Sequence, residues 1–142
     1  MEITQKNFLF ALTRIRRKQF AFLESEMNKN NINDIPPSYG DVLFVLERKG
    51  PIPLLEIARY TGKDKSTVSS VVKRLEASGY VAKEKKGKDG RFIAVRLTAK
   101  AKKFKTAMMR ISDEMNARMF AGFTEDEKAR LFELLEKIHN NS

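Results

Sequence analysis

The sequence predicts a mainly α protein with one small β-hairpin, and three observations predict it. Apolar residues recur at helical spacing through most of the 142 residues. Glycine, proline and asparagine fall between those stretches, where turns are wanted. One segment departs from the pattern: Arg91 to Leu97, RFIAVRL, is rich in aromatic and β-branched residues and reads as a strand.

The first expected helix covers residues 5–28. Phe8, Leu12, Ile15, Phe22 and Met27 fall near helical spacing, and Leu9, Phe20 and Leu23 widen the stripe. This is more apolar surface than one side of a small domain needs, which implies a second burial surface, such as another copy of the chain. Asn28 to Asn33 is a polar loop closed by Pro36-Pro37. Ser38 followed by Asp41 resembles a capping box for a second helix, buried through Val42, Leu43, Val45 and Leu46 and ended by Gly50-Pro51. A short third helix runs from about Pro53 to Gly62, with Leu54, Ile57 and Ala58 inward.

The fourth helix follows two residues later. Asp64 is a good N-cap, Val68, Val71, Val72 and Leu75 form the buried stripe, and Gly79 suits the left-handed residue after the last turn. The opposite face carries Lys65, Ser66, Thr67, Ser69, Ser70, Lys73 and Arg74, with Lys63 just ahead of it and no acid among them. Short hydroxyls let a helix approach base edges, and cations neutralise phosphates. The third and fourth helices, joined by a tight glycine turn, make a helix-turn-helix whose second member suits a major groove.

Tyr80 to Lys83 reads as a first strand and Arg91 to Leu97 as a second, with EKKGKDG between them as a hairpin tip. A helix-turn-helix followed by such a hairpin is a winged helix. Lys85, Lys86, Lys88 and Arg91 at the wing can reach phosphates or a minor groove. Thr98 caps a long fifth helix over about 99–121, with a stripe of Ala101, Phe104, Met108, Ile111, Met115 and Met119 ended by Gly122. Thr124 and Glu127 form a capping box for a last helix lined by Leu131, Leu134, Leu135 and Ile138. The expected organisation is a winged helix-turn-helix DNA-binding domain over 36–98. Helical dimerisation segments over 1–35 and 99–142 flank it.

Charge placement narrows the partner. The chain carries a net charge of +10, and residues 63–105 hold 14 basic and 4 acidic side chains, so the whole excess lies there. A polyanion such as double-stranded DNA is the simplest cause. The basic segment lacks a Trp- and Phe-rich face that would enter a bilayer, and no apolar run reaches membrane-spanning length. The first twenty residues have the wrong charge order for a secretory signal, so a cytoplasmic protein is expected. With no cysteine and one histidine, His139, no thiolate metal site and no nucleophile–His–acid set can be assembled. No phosphate-cradling or dinucleotide fingerprint is present, so no enzyme and no cofactor are expected.

LLEIARYTGKDKSTVSSVVKRLEASGYV (54–81) and KDGRFIAVRLT (88–98) resemble the MarR family of transcriptional regulators, and the helix order is similar over nearly the whole length. The resemblance implies a homodimer with interlocked terminal helices and two winged domains straddling a palindromic operator. It implies that the helix from Asp64 enters the major groove and that Arg91, in Asp89-Gly90-Arg91, enters the minor groove, with Asp89 helping to position the wing. It also implies a small aromatic or anionic ligand between the dimer helices and the DNA-binding domain. One departure is Ala101, where the family commonly has glycine after Leu-Thr-x-Lys; alanine suits a helix, so no change of fold is expected. Three further readings stay beside the regulator: a non-specific or architectural nucleic-acid binder, an enzyme, and a winged helix used only for protein contact.

Overall fold

Val68, Val71, Val72 and Leu75 are all buried, and the core is assembled around them. The computed structural model describes residues 1–142. Helix α1 is Phe8–Lys29, α2 Gly40–Lys49, α3 Leu54–Thr61 and α4 Lys65–Ala77. Strands β1 (Val81–Lys86) and β2 (Phe92–Leu97) follow, then α5 (Ala99–Lys103), α6 (Lys105–Met119) and α7 (Glu125–Asn140). Met27 of α1, Val42 and Leu46 of α2, Ile57 of α3, Val95 of β2 and Ile111 of α6 close over the α4 stripe. No polar or charged residue is buried. The core is therefore held by apolar burial rather than by internal ion pairs.

The strands pair antiparallel from Val81 opposite Leu97 to Lys86 opposite Phe92, and Ile52 adds one bridge to Val95. The first strand is thus longer than expected, and the second begins one residue later. Lys85 and Lys86 stand on β1 rather than at the tip, which shrinks to Gly87–Arg91. Cross-strand pairing of Lys85 with Ile93 and Lys86 with Phe92 overrides the weak strand preference of lysine.

Two other local expectations are corrected. Ser38 does not cap the second helix, because it lies inside a 3-10 turn over Pro37–Tyr39 and Tyr39 becomes the capping residue, with no side-chain bond. Asp41 instead accepts the N–H of Val42 at 2.8 Å and pairs with Lys63. The long fifth helix is two helices separated at Phe104, whose N–H turns back to Ala101 and whose ring lies 6.3 Å from that of Tyr80. The break lets α5 stay against β2 while α6 runs along α1. Ala101 sits in α5, its N–H on Thr98 Oγ1 at 3.4 Å, and the helix forms normally there.

The terminal helices are less enclosed. The Thr124–Glu127 capping box forms as expected, yet α7 buries no residue in the chain. Its Phe132 ring meets Phe120 edge-on at 5.5 Å, and Lys128 and Leu131 are half-buried. An amphipathic helix with an uncovered apolar face gains little stability from propensity alone.

Candidate nucleic-acid interface

Asp64 organises the start of α4. Its extended backbone ends the turn from α3, where Gly62 takes the left-handed conformation at φ 70°. Oδ1 accepts the Thr67 N–H at 2.7 Å and the Ser66 hydroxyl at 2.7 Å, while Oδ2 accepts the Thr67 hydroxyl at 2.9 Å. The Thr67 amide, then the Ser66 and Thr67 hydroxyls, hold the carboxyl below its ordinary value of 3.8. A lowered folded-state value means that the cap is fully present above pH 3.8 and is lost as pH falls through the depressed value. Asp64→Ala should therefore lower the melting temperature by a few degrees near neutrality. That difference should vanish in strong acid, as calorimetry of both proteins across pH would show.

The same bonds define what the helix offers to a partner. A carboxylate only accepts, so the protons of Ser66 and Thr67 point at Asp64 and their outward lone pairs remain free. Ser70 likewise donates to the Ser66 carbonyl at 3.1 Å. The N-terminal turns thus present hydroxyl acceptors, suited to amino groups of cytosine or adenine in a major groove. Ser69 is half-buried and stands back from the exposed row.

The cations divide into held and free. Lys63 pairs with Asp41, and Lys86 lies 3.6 Å from Glu84, which also holds Arg96 at 3.4 Å. Lys65, Lys73, Arg74, Lys85, Lys88 and Arg91 are exposed and make no ion pair. The Arg74 guanidinium lies 5.7 Å from the ring centroid of Tyr39, which directs it along the helix surface.

At the wing tip, Gly87, Asp89 and Gly90 all have positive φ. A Cβ at Gly87 would come within 2.8 Å of the Phe92 ring, so this glycine is needed both for its backbone and for the ring lying on it. Asp89 occupies φ 61°, a conformation aspartate tolerates, and its carboxylate makes no ion pair in the chain. Arg91 follows the tip directly and is exposed.

Sequence reasoning missed a cluster behind α4. Asp34 accepts the Tyr80 hydroxyl at 2.6 Å and Lys100 Nζ at 2.7 Å, and Lys100 also donates to the Ser78 carbonyl at 2.7 Å. Burial alone would raise the Asp34 carboxyl, but the bonds from Lys100 and Tyr80 outweigh it and hold it below the ordinary value. Burial and the Asp34 charge push the Tyr80 phenol well above its usual range. Also missed was a groove of about 390 Å³ against α1, lined by Thr13, Arg16, Arg17, Phe20 and Ser38 among others. Its only sequence trace is the Arg16-Arg17 pair, which reads as surface charge.

A helix-turn-helix whose second helix presents hydroxyls and unpaired cations, followed by a basic hairpin, defines a winged-helix DNA-binding protein. The MarR family model matches residues 33–91. The transcriptional repressor IacR of Pseudomonas putida is 28% identical over 99% of this chain and 83% of that protein. The HTH-type regulator YkoM of Bacillus subtilis is 31% identical over 73% of this chain and 69% of its own length. The structure of BpsR of Bordetella bronchiseptica, described for regulation of its DNA binding by 6-hydroxynicotinic acid, superposes with a TM-score of 0.80. It covers 98% of this chain and 97% of BpsR at 21% identity. The chain belongs to the MarR family of DNA-binding transcriptional regulators, which are not enzymes. No helix is long and apolar enough to cross a membrane.

Proposed function

We propose that the protein is a dimeric, sequence-specific repressor of the cytoplasm that binds a palindromic operator and is released by a small aromatic anion. The observation that carries the DNA reading is the face of α4, where unpaired Lys65, Lys73 and Arg74 flank the acceptor hydroxyls of Ser66, Thr67 and Ser70. Ser69 stands behind this row, and Lys63, held by Asp41, marks its near end. Lys85, Lys86 and Lys88 on the wing supply phosphate contacts, and Arg91, set by the turn containing Asp89, enters the adjacent minor groove. The repressor role is supported by the name of IacR.

Dimerisation is supported by uncovered apolar surface. Leu9 and Phe10 of α1 are 72% and 70% exposed, and Phe132, Leu134, Leu135 and Ile138 form an open row on α7. A soluble chain rarely leaves such surface open. Two copies placing their α4 helices in successive major grooves would read half-sites about one helical turn apart.

The effector reading rests on the groove beside α1. Arg16 lies 4.4 Å from the Phe20 ring centroid, Arg17 adds a second cation, and Thr13 and Ser38 add hydroxyls. A planar carboxylate could stack on the ring and pair with the guanidinium groups. The regulation of BpsR by 6-hydroxynicotinic acid supports this ligand class. Arg16→Ala should leave operator affinity unchanged in the absence of effector. It should also weaken the release of DNA by aromatic carboxylates such as 6-hydroxynicotinate about tenfold or more. Anisotropy titrations with and without the acid would read both.

The test of the whole reading is binding to duplex DNA from immediately upstream of the protein's own gene, against a scrambled duplex at near-physiological salt. A specific regulator binds the first roughly a thousandfold more tightly. Equal affinity for that duplex, for scrambled DNA and for a library of random duplexes would favour an architectural nucleic-acid binder instead.

A further inference from the structure

The last turn of α4 is held from outside the helix-turn-helix. The carbonyls of Arg74, Leu75 and Glu76 already accept the amides of Ser78, Tyr80 and Gly79, and the next carbonyl, that of Ser78, takes a side chain from another segment. Lys100 Nζ donates to the Ser78 carbonyl and to Asp34 Oδ2, each at 2.7 Å, and lies 4.4 Å from the Tyr80 ring centroid. The Lys100 stem passes over Gly79, where Cδ would be 3.6 Å from a Cβ. Tyr80 donates to Asp34 Oδ1 at 2.6 Å, and Thr98 donates to the Gly79 carbonyl. Asp34 lies in the segment joining α1 to α2, and Lys100 lies in α5, which the break at Phe104 separates from α6. The helices α1 and α6 pack along each other. Both segments that lead out of the α1–α6 layer therefore converge on one helix end.

We propose that Asp34 and Lys100 are positioning residues for DNA binding. They set the angle of α4 to the α1–α6 pair through the Ser78 carbonyl and the Tyr80 side chain. Neither is deeply buried: the Lys100 and Asp34 side chains are 40% and 37% exposed. Their loss should leave the core intact, since the residues of the α4 stripe pack elsewhere. What their loss removes is the polar tie at the end of α4, while the apolar contacts of Met27 and Ile111 with the α4 stripe remain. In a dimer, that angle fixes the separation of the two α4 helices, so Asp34 and Lys100 would govern which half-site spacing is accepted. This consequence rests on the dimeric reading above; the angle itself does not.

The chain has no cysteine, so two introduced cysteines can be spin-labelled cleanly. Lys18→Cys on α1 and Glu76→Cys on α4 are both at exposed positions. Pulsed electron resonance, with labelled protein diluted into unlabelled protein, reads the distance within one chain. The native background should give one narrow distribution. Asp34→Asn and Lys100→Met should each broaden it, and the double variant should broaden it no further, because both break one network. Lys100→Arg, which retains both donations, should restore the narrow distribution. Lys100→Met provides the reading if Asp34→Asn folds poorly, as thermal melts would show. Unchanged widths in the folded single variants would overturn the proposal, as would broadening that adds in the double variant.

Operator duplexes with the half-site separation altered by two base pairs give the functional readout. The native protein should disfavour them on the order of tenfold, and Asp34→Asn and Lys100→Met should bind all spacings alike. A native protein indifferent to spacing would overturn the dimeric reading alone, since the intrachain distances still decide the positioning role.

Discussion

On the proposed dimeric reading, replacing Leu134 and Ile138 together by aspartate should yield a folded single chain and lower operator affinity by about 10² to 10⁴. The first effect follows from where these residues sit. They are 42% and 45% exposed in the single chain, on a helix that buries nothing, so changing them removes no core contact. Facing a partner's apolar surface, two carboxylates would each be desolvated without a counter-charge, which an interface does not tolerate. The second effect follows from linkage. In a dimer, binding of one winged domain raises the effective concentration of the other at its half-site, and a monomer loses that gain entirely. Sedimentation would show the change of mass, and the dependence of binding on salt should fall to about half, because each chain neutralises only its own phosphates. A variant that still sediments as a dimer would move the interface to α1, where Leu9 and Phe10 are the most exposed large apolar residues of that helix.

Arg91→Ala should weaken operator binding by about 1–3 kcal/mol, the scale of a specific arginine contact, with a smaller effect on random duplexes. The exposed guanidinium has no partner within the chain, so nothing internal is lost when it is removed. The wing backbone is set independently, by Gly87 beneath the Phe92 ring and by Gly90 against the Lys85 stem, 3.3 Å from where a Cβ would stand. A narrow minor groove concentrates negative potential and selects a slender cation, which gives Arg91 a share in specificity as well as affinity. Lys65→Ala provides the contrast. A phosphate contact should weaken operator and random DNA alike and reduce the salt dependence by about one ion. Titrations of both variants at three salt concentrations would separate the two roles. If the Arg91→Ala protein bound its operator as the native protein does, the wing would not reach the groove.

Much of the winged helix is legible because its signals are local. Asp64, the valine stripe and Gly79 lie within one sixteen-residue stretch, and each acts on neighbours three or four positions away. The Thr124–Glu127 cap is equally local and forms as read. The misreadings share the opposite character. Nothing between Ala99 and Lys105 opposes a helix, yet the chain breaks at Phe104 because α5 must follow β2 while α6 follows α1. The lysines of β1 discourage a strand, yet they pair because β2 stands opposite them. Ser38 loses its capping role to a turn imposed by Pro36 and Pro37.

By itself, then, the sequence determined the order of elements, the buried face of α4, the basic character of its exposed face and the family. These depend on periodicity, capping and charge, which act over a few residues. Only the tertiary structure decided which cations are free and how the end of α4 is tied down, whereas the hydroxyls of Ser66 and Thr67 turn toward Asp64 within the same helix cap. Asp34 and Lys100 meet across 66 positions of chain, and Arg16 faces Ser38 across a groove that neither α1 nor the following loop forms alone. Such pairings arise when apolar burial brings distant segments together, and the polar groups left at their margins then find each other.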